Sequence, residues 1–531
     1  MEEERFTPSG IPLKPFYGPQ DMASTDYATS IGDPGQYPFA RGIYSTMYRR
    51  QPWAILENTG FDLASDTRKR SQLYIQEGAK HYFQRGSIHL VFDLTTLYGY
   101  DSDHPGIAYE IGKNGVHINS LRDMEELFAG VDLENTHVSF VPYAVSAPIL
   151  AMFLAMAENR GVSWDSLSGA IDNCPLLGPL GENMLLFSYP GTLRLMVEVL
   201  RFGVQHLPRF NLLVIPTYSV RERGGHAVHE LAIGLAMARQ VLEEAQRVGI
   251  GPSEMAPRML FFLSVDNHFF EEVAKLRALR KLWAHIMREE FGVADPATAA
   301  LRLYVMPGGS TLHAQQPLNN IVRCAIHGLA GVMGGVQVMG MPAYDEALGI
   351  PTEEAGCLAV RTQLILQNEM GLTDVADPLG GSYYVESLTK QLEVEIRKYL
   401  EKIDRLGGFV AAVDDLCQEL DSQALKVQQE VTRGKRVIVG VNQFSSEQET
   451  TPEVFRYDSA TPIRAQGRIE ALRQQRDGAR VKASLDALWK ALQDGAPVML
   501  PLVEAARAYA TLGEMVAVLR ETLGEYAGQG L

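Results

Sequence analysis

The stretch from Phe210 to Gly249 constrains this chain more than any other. Phe210-Asn-Leu-Leu-Val-Ile-Pro-Thr217 is a short apolar run, Tyr218-Ser219-Val-Arg-Glu222 is a polar tip, and Gly224-Gly225 turns into an amphipathic stretch over 226–249. A strand that is apolar on both faces has to be covered on both, which is the condition of a parallel sheet in an α/β fold. The unit recurs. Short apolar runs at 52–58, 88–94, 137–143, 167–173, 211–217, 258–265, 301–306 and 336–341 are separated by helical periodicity, as at 121–128, 149–159, 194–206, 269–291 and 319–333. Eight such strands alternating with helices predict an α/β fold of the (β/α)8 TIM-barrel type. Polar residues at the carboxyl ends of the strands handle ligands in these folds, so Tyr218, Ser219 and Glu222 are the first site candidates.

The flanks read differently. Residues 1–40 are rich in Pro and Gly, without periodicity, and predict an extended arm; 41–387 holds the β/α units. In 388–531 the strand signal stops, and 389–405, 410–433 and 469–493 carry Ala and Leu at helical spacing, a helical appendage. A net charge of −16 argues against a nucleic-acid partner, because neutralising phosphates needs a basic surface. The longest apolar run, 144–157, is too short to span a bilayer, so no membrane association is expected. Cys174, Cys324, Cys357 and Cys417 form no CxxC pair, and neither a zinc site nor a disulfide framework is suggested. The acidic start, Met1-Glu-Glu-Glu-Arg5, lacks a signal-peptide plan, and a cytoplasmic location is expected.

Generic catalytic signatures are missing. No GxGxxG follows a strand, and there is neither a GxxxxGK[ST] loop nor a GxSxG elbow. His226-Ala-Val-His229-Glu230 spaces its histidines at i, i+3 with the glutamate outside, where a zincin needs i, i+4. Asp266-Asn-His268 would need Gly at 271 to complete DxHxxG, and Glu271 stands there. Asp266 and His268 remain candidates as hydrogen-bonding groups at a strand end.

Longer motifs carry a resemblance. Gly10-Ile-Pro-Leu-Lys-Pro-Phe-Tyr17, Pro38-Phe-Ala-Arg41-Gly-Ile-Tyr44-Ser-Thr46-Met47-Tyr48 and Gln51-Pro-Trp53 occur in order. So do Phe92-Asp93-Leu-Thr-Thr-Leu-Tyr-Gly99-Tyr-Asp101-Ser-Asp103, Phe269-Phe-Glu-Glu-Val-Ala-Lys-Leu-Arg277-Ala-Leu-Arg280, Ala314-Gln315-Gln-Pro-Leu-Asn319-Asn320 and Asp377-Pro-Leu-Gly-Gly-Ser-Tyr383. Together they resemble the large, substrate-binding subunit of the methylmalonyl-CoA mutase family, in the layout of its isobutyryl-CoA mutases, over nearly the whole chain. The resemblance implies adenosylcobalamin-dependent radical rearrangement of an acyl-CoA, with the pantetheine arm threading a barrel axis left open by small polar residues. Such chemistry belongs to the cofactor, and the protein orients substrate and excludes water. The DxHxxG cobalamin domain is absent from this sequence, so the resemblance implies a separate small subunit carrying it, in a heterotetramer or heterodimer.

Residue by residue, the resemblance makes Glu222 and Glu346 the carboxylates that hold the adenosyl ribose, with Pro342 also on the cofactor side. Taken alone, both glutamates read as solvated carboxylates at loop ends. Tyr218 matches the aromatic beside the substrate, Gln315 and Gln337 match polar groups around the thioester and CoA chain, and Arg258 matches an arginine at the start of a strand. Tyr44, Thr46, Met47 and Arg49 fall on the substrate-binding motif. The acyl end departs from the family: Ser219 stands where a histidine reaches the thioester oxygen, and Asn58 where a tyrosine or phenylalanine faces the substrate. Asp172-Asn173-Cys174 replaces Gln-Asn-Asp, and Glu182 falls where an arginine pairs with the methylmalonyl carboxylate. A carboxylate at 182 would repel a dicarboxylic substrate. Two readings stay open: a working mutase for another acyl group, or a degenerate homologue that serves as a binding or assembly subunit.

Overall fold

A computed structural model describes residues 4–82, 86–181, 185–446 and 452–526. All eight expected strand regions are extended, shifted from the sequence bounds by a few residues. They form β1 (Ala54–Leu56), β2 (Asn58–Thr59), β3 (Gly86–Val91), β4 (Thr136–Val141), β5 (Ser168–Ile171), β6 (Arg209–Asn211), β7 (Leu213–Pro216), β8 (Met259–Val265), β9 (Arg302–Pro307) and β10 (Val338–Gly340). Two of the expected strands are each split in two, at Glu57 and at Leu212.

One five-stranded parallel sheet runs β1-β10-β9-β8-β7 and the other β2-β3-β4-β5-β6. Each split run therefore gives one half to each sheet. This mixed α/β arrangement of parallel sheets is consistent with a TIM-barrel-like architecture. Parallel pairing leaves both faces to be covered, and the strands are buried nearly throughout.

Helices cover the outer face. The apolar run 144–157 becomes the helix Ser146–Asn159, buried at every residue from Ser146 to Ala157. A helix apolar all round must be enclosed all round. The helices Met499–Arg507 and Leu512–Leu523 pack on it from the far C-terminal region. Beyond residue 387 the described structure contains no strand paired into a sheet, in line with the helical pattern. The N-terminal segment lies along the helices Phe269–His285 and Tyr383–Arg405. Arg280 donates to the carbonyls of Phe39 and Ala40 at 2.9 Å each and also to the carbonyl of Gly334. Tyr17 packs its ring on Tyr384.

A second, smaller apolar cluster sits inside the strands: Leu56, Val214, Leu260, Tyr304 and Val338, with Tyr82 and Phe262 packed against it.

Candidate active site

Strand β7 ends at Pro216, and a single helical turn, Tyr218–Glu222, follows. The turn aims Tyr218 inward, where its ring lies flat on Phe262 (4.8 Å, 3°), and Phe262 stacks in turn on Tyr304 (4.3 Å). The Tyr218 hydroxyl accepts from the Gly309 N–H at 2.8 Å. Glu222 accepts from the Ser310 N–H at 2.9 Å and from its hydroxyl at 3.2 Å. Both residues of the tip after β7 thus pin the loop that follows β9. Ser219 between them is buried against Gly181.

Carboxyl groups gather at this end. Glu346 is exposed, and desolvation by the protein around it, then Asp345 and Glu222, raises its carboxyl to about 7. Glu222 is also exposed, and desolvation by its surroundings, then the charge of Asp266, raises it. Glu57, at the split in the first run, is buried, and its Oε2 has no hydrogen-bond partner among the described residues. Burial and the nearby Glu346 push it well above the ordinary carboxylate range. Asp266 behaves oppositely: burial alone would raise it, but Arg221, paired with it, and Lys275 hold it below its usual value. Lys275 pairs with Glu272, bonds Glu230 Oε2 at 2.7 Å and donates to the Ser264 carbonyl at 2.7 Å, while Arg221 reaches Glu272 at 3.1 Å. This buried ionic set underlies the tip and positions it.

Along the axis the strands leave a cavity of about 40 Å³. On one side its wall is polar, with His89, His137, Ser139 and Asp172; on the other it is aromatic and aliphatic, with Phe262, Tyr304 and Val338. His81 and Tyr82 close the amino-terminal end of the strands. His81 stacks on His137 (3.5 Å, 5°), Tyr82 lies edge-on to His81 (4.1 Å), and Lys80 bridges to Ile55. The axis expected to be left open by small polar residues is therefore narrow, because Tyr304 and Phe262 cross it and His81 and Tyr82 fill its mouth.

The expected site residues divide by position. Tyr218, Ser219, Glu222 and Glu346 come together at the carboxyl ends, and Asp172 lines the cavity just below. Asn58 is exposed at the same end, its amide nitrogen 3.8 Å from Met306 Sδ. Pro342 is buried after β10, its carbonyl accepting from Cys324 Sγ. Others lie elsewhere. Gln337 is spent on backbone at the amino-terminal end, accepting from the Leu303 N–H at 3.0 Å and donating to the Gly335 carbonyl at 2.9 Å. Arg258 donates to the Leu207 carbonyl at 2.8 Å, also at that end, and Gln315 is exposed in a loop. Met47 is buried, its Cε close to Gly335; Thr46 and Arg49 are exposed, and Tyr44 is half-buried beside Arg50. Glu182 lies outside the described residues. His268 is exposed.

Among the described residues no group of three His, Cys, Asp or Glu side chains could hold a metal ion. The tip instead offers carboxyl groups and a phenol, suited to hydrogen-bonding hydroxyl groups of a ligand rather than to nucleophilic attack. The sequence model of the family described as Methylmalonyl-CoA mutase matches residues 6–525. The chain belongs to the methylmalonyl-CoA mutase family. Among its relatives, the methylmalonyl-CoA mutase of Rhizobium meliloti (strain 1021) is 38% identical over 524 residues, covering 98% of this chain and 72% of that one. The 2-hydroxyisobutanoyl-CoA mutase large subunit of Aquincola tertiaricarbonis is 36% identical over 529 residues, covering 99% of this chain and 93% of that one. The methylmalonyl-CoA mutase of Escherichia coli (strain K12) is 35% identical over 523 residues, covering 98% and 72%. Relatives of this mutase family are isomerases. No helix among the described residues is long and apolar enough to cross a membrane.

Within the family frame, sequence reading missed Glu57, His81, Tyr82, His89, His137 and Tyr304. Alternation in β3 and β4 carried the one available signal: Ser87 and His89, then His137 and Ser139, put polar groups on one face of strands otherwise apolar.

Proposed function

We propose that this chain is the large subunit of an adenosylcobalamin-dependent mutase that rearranges the carbon skeleton of an acyl-CoA other than methylmalonyl-CoA. The observation that carries this reading is the convergence of Tyr218, Glu222 and Glu346 at the carboxyl ends of the strands, with the altered residues Ser219, Asn58 and Asp172 beside them. On this reading the two sheets close into a (β/α)8 barrel through the split runs 54–59 and 209–216.

The carboxyl ends fit the nucleoside part of the cofactor. Glu222 and Glu346 interact electrostatically, and Glu346, at about 7, both donates and accepts near neutrality. Such a pair suits the two hydroxyls of a ribose. When bound, adenosylcobalamin supplies the radical chemistry, and this chain's residues hold the nucleoside, orient the acyl group and keep water out. A partner subunit for the corrin is supported by the relative that is itself named as a large subunit, 93% of which the chain covers. A carboxylate at Glu182 argues against a dicarboxylic substrate.

The test is to mix the chain with a small cobalamin-binding subunit and adenosylcobalamin and to follow cob(II)alamin absorbance while acyl-CoAs are added. An uncharged acyl-CoA should generate the signal; a silent panel would sink the reading. The narrow axis favours a second reading, a binding or assembly subunit without catalysis. That reading expects complex formation with the small subunit and no signal from any ester.

A further inference from the structure

Arg223 closes the tip that follows β7, and its side chain joins two segments far away in the chain. Its Nη1 donates to the carbonyls of Pro179 and Leu180 at 2.8 Å each. Its Nε and Nη2 donate to the two carboxylate oxygens of Asp421 at 2.8 and 2.9 Å, a bidentate pair. Pro179 and Leu180 belong to the short helix Gly178–Gly181 in the loop that leaves β5 by way of Asp172, and Asp421 belongs to the helix Phe409–Thr432. A helix of four residues closes almost none of its own hydrogen bonds, so its carbonyls depend on outside donors. Arg223 is one, and Cys417 Sγ, 3.4 Å from the Pro179 carbonyl, is another.

The C-terminal helix is shaped for this contact. Cys417, Leu420, Asp421 and Ala424 share one of its faces, at spacings of three and four residues. Ala424 comes so near that a Cβ on Gly224 would lie 2.8 Å from its Cα, and Gly224 has a φ of 102°. Glycine meets both conditions at once. Asp421 is exposed, and an ion pair of that kind adds little to global stability. Its effect is local. The carboxylate fixes the direction of the guanidinium, and the guanidinium fixes Gly178–Gly181, whose last residue packs on Ser219.

Resting on the acyl-CoA reading, we propose that Arg223 is a positioning residue for substrate specificity. Held by Asp421, it keeps the helix Gly178–Gly181 against Ser219 and so limits the size of the acyl group admitted beside the tip. The helical C-terminal region thereby takes part in substrate selection without touching the substrate.

Two measurements on the full chain test this, for wild type, Arg223→Ala, Arg223→Lys and Asp421→Ala. The first is hydrogen exchange read by mass spectrometry over 175–181, which needs no turnover, with the buried helix Ser146–Asn159 as reference. Exchange over 175–181 should quicken about tenfold in Arg223→Ala and less in Asp421→Ala, with the reference unchanged. The second is turnover with a small cobalamin-binding subunit and adenosylcobalamin. It compares the uncharged ester that wild type converts best with the homologue carrying one more methyl at the branch. The ratio of kcat/KM, larger ester over smaller, should rise about tenfold in Arg223→Ala, with Arg223→Lys closer to wild type. A purely structural role would lower both esters alike and leave their ratio unchanged. That result, or unchanged exchange over 175–181, would overturn the proposal while leaving the acyl-CoA reading intact. Should Arg223→Ala not fold, Asp421→Ala, altered at an exposed side chain, decides by the same two readouts. Wild type that converts no ester would overturn the acyl-CoA reading and the specificity role with it, whatever the exchange shows.

Discussion

Gly181 lies so close to Ser219 that a Cβ on the glycine would overlap the Cβ of the serine. The short helix Gly178–Gly181 is thereby seated directly on the tip after β7, and the tip has no spare volume on that side. Restoring a histidine at 219 is therefore not a simple exchange. Ser219→His should cost about 1–3 kcal/mol through overpacking, and Ser219→Ala less than about 1. Urea unfolding of both variants checks this. A Ser219→His protein as stable as wild type would show that the short helix yields easily.

Glu346 makes a pH-dependent contribution whose sign is fixed. Its folded carboxyl sits at about 7, above the ordinary 4.5, so the folded state holds a proton that the unfolded state has lost between those values. Stability from this group is complete below about pH 4.5 and is lost as pH rises through about 7. Buried His89 and His229, both lowered to about 4, act in the opposite sense below their ordinary 6.5, so wild type alone does not isolate the effect. The difference between wild type and Glu346→Gln does. Relative to wild type, Glu346→Gln should gain stability as pH is raised from 5 to 8. A difference that stays flat over that range would show that Glu346 is an ordinary solvated carboxyl.

Tyr82 is held in an unfavourable way. Its φ is 48°, a conformation that suits glycine, and its buried hydroxyl has no partner among the described residues. On the acyl-CoA reading, a longer ligand along the axis would compete with this side chain for the mouth it fills. Tyr82→Gly should raise the affinity for free CoA about tenfold by removing that competition. Unchanged or weaker binding would mean that the ligand does not use this end of the strands.

The buried ionic set behind the tip sets a stability prediction. Lys275 is fully buried and answers both Glu230 and Glu272. Lys275→Met would leave those carboxylates with Arg221 alone, at a cost of about 3–5 kcal/mol. Guanidinium unfolding measures it; a cost under about 1 kcal/mol would show that the carboxylates take up protons instead.

Much of the frame was legible in the sequence because it is written locally. Strand runs bounded by turn residues, and a polar tip at Tyr218 to Glu222, depend on neighbours in the chain. What escaped depends on segments far apart. His81 stacks on His137 across 56 residues, Gly181 seats on Ser219 through a helix of four residues, and Glu57 senses Glu346 only because two loops meet. The open axis expected from the family failed for a related reason. The small polar residues Ser87 and Ser139 do line half of the strands' inner face, but Phe262 and Tyr304 reach across from the other half. Polar alternation in a strand says which face a residue takes; it says nothing of what opposes it.

The proposed turnover of an uncharged acyl-CoA is to be sought with this chain together with a small cobalamin-binding subunit. The most direct measurement is mass-spectrometric separation of CoA esters after incubation with adenosylcobalamin, with methylmalonyl-CoA run beside a panel of uncharged branched and hydroxylated acyl-CoAs. The expected result is isomerisation of at least one uncharged ester and none of methylmalonyl-CoA. Conversion of methylmalonyl-CoA in preference to every uncharged ester, or no isomer from any of them, would contradict it.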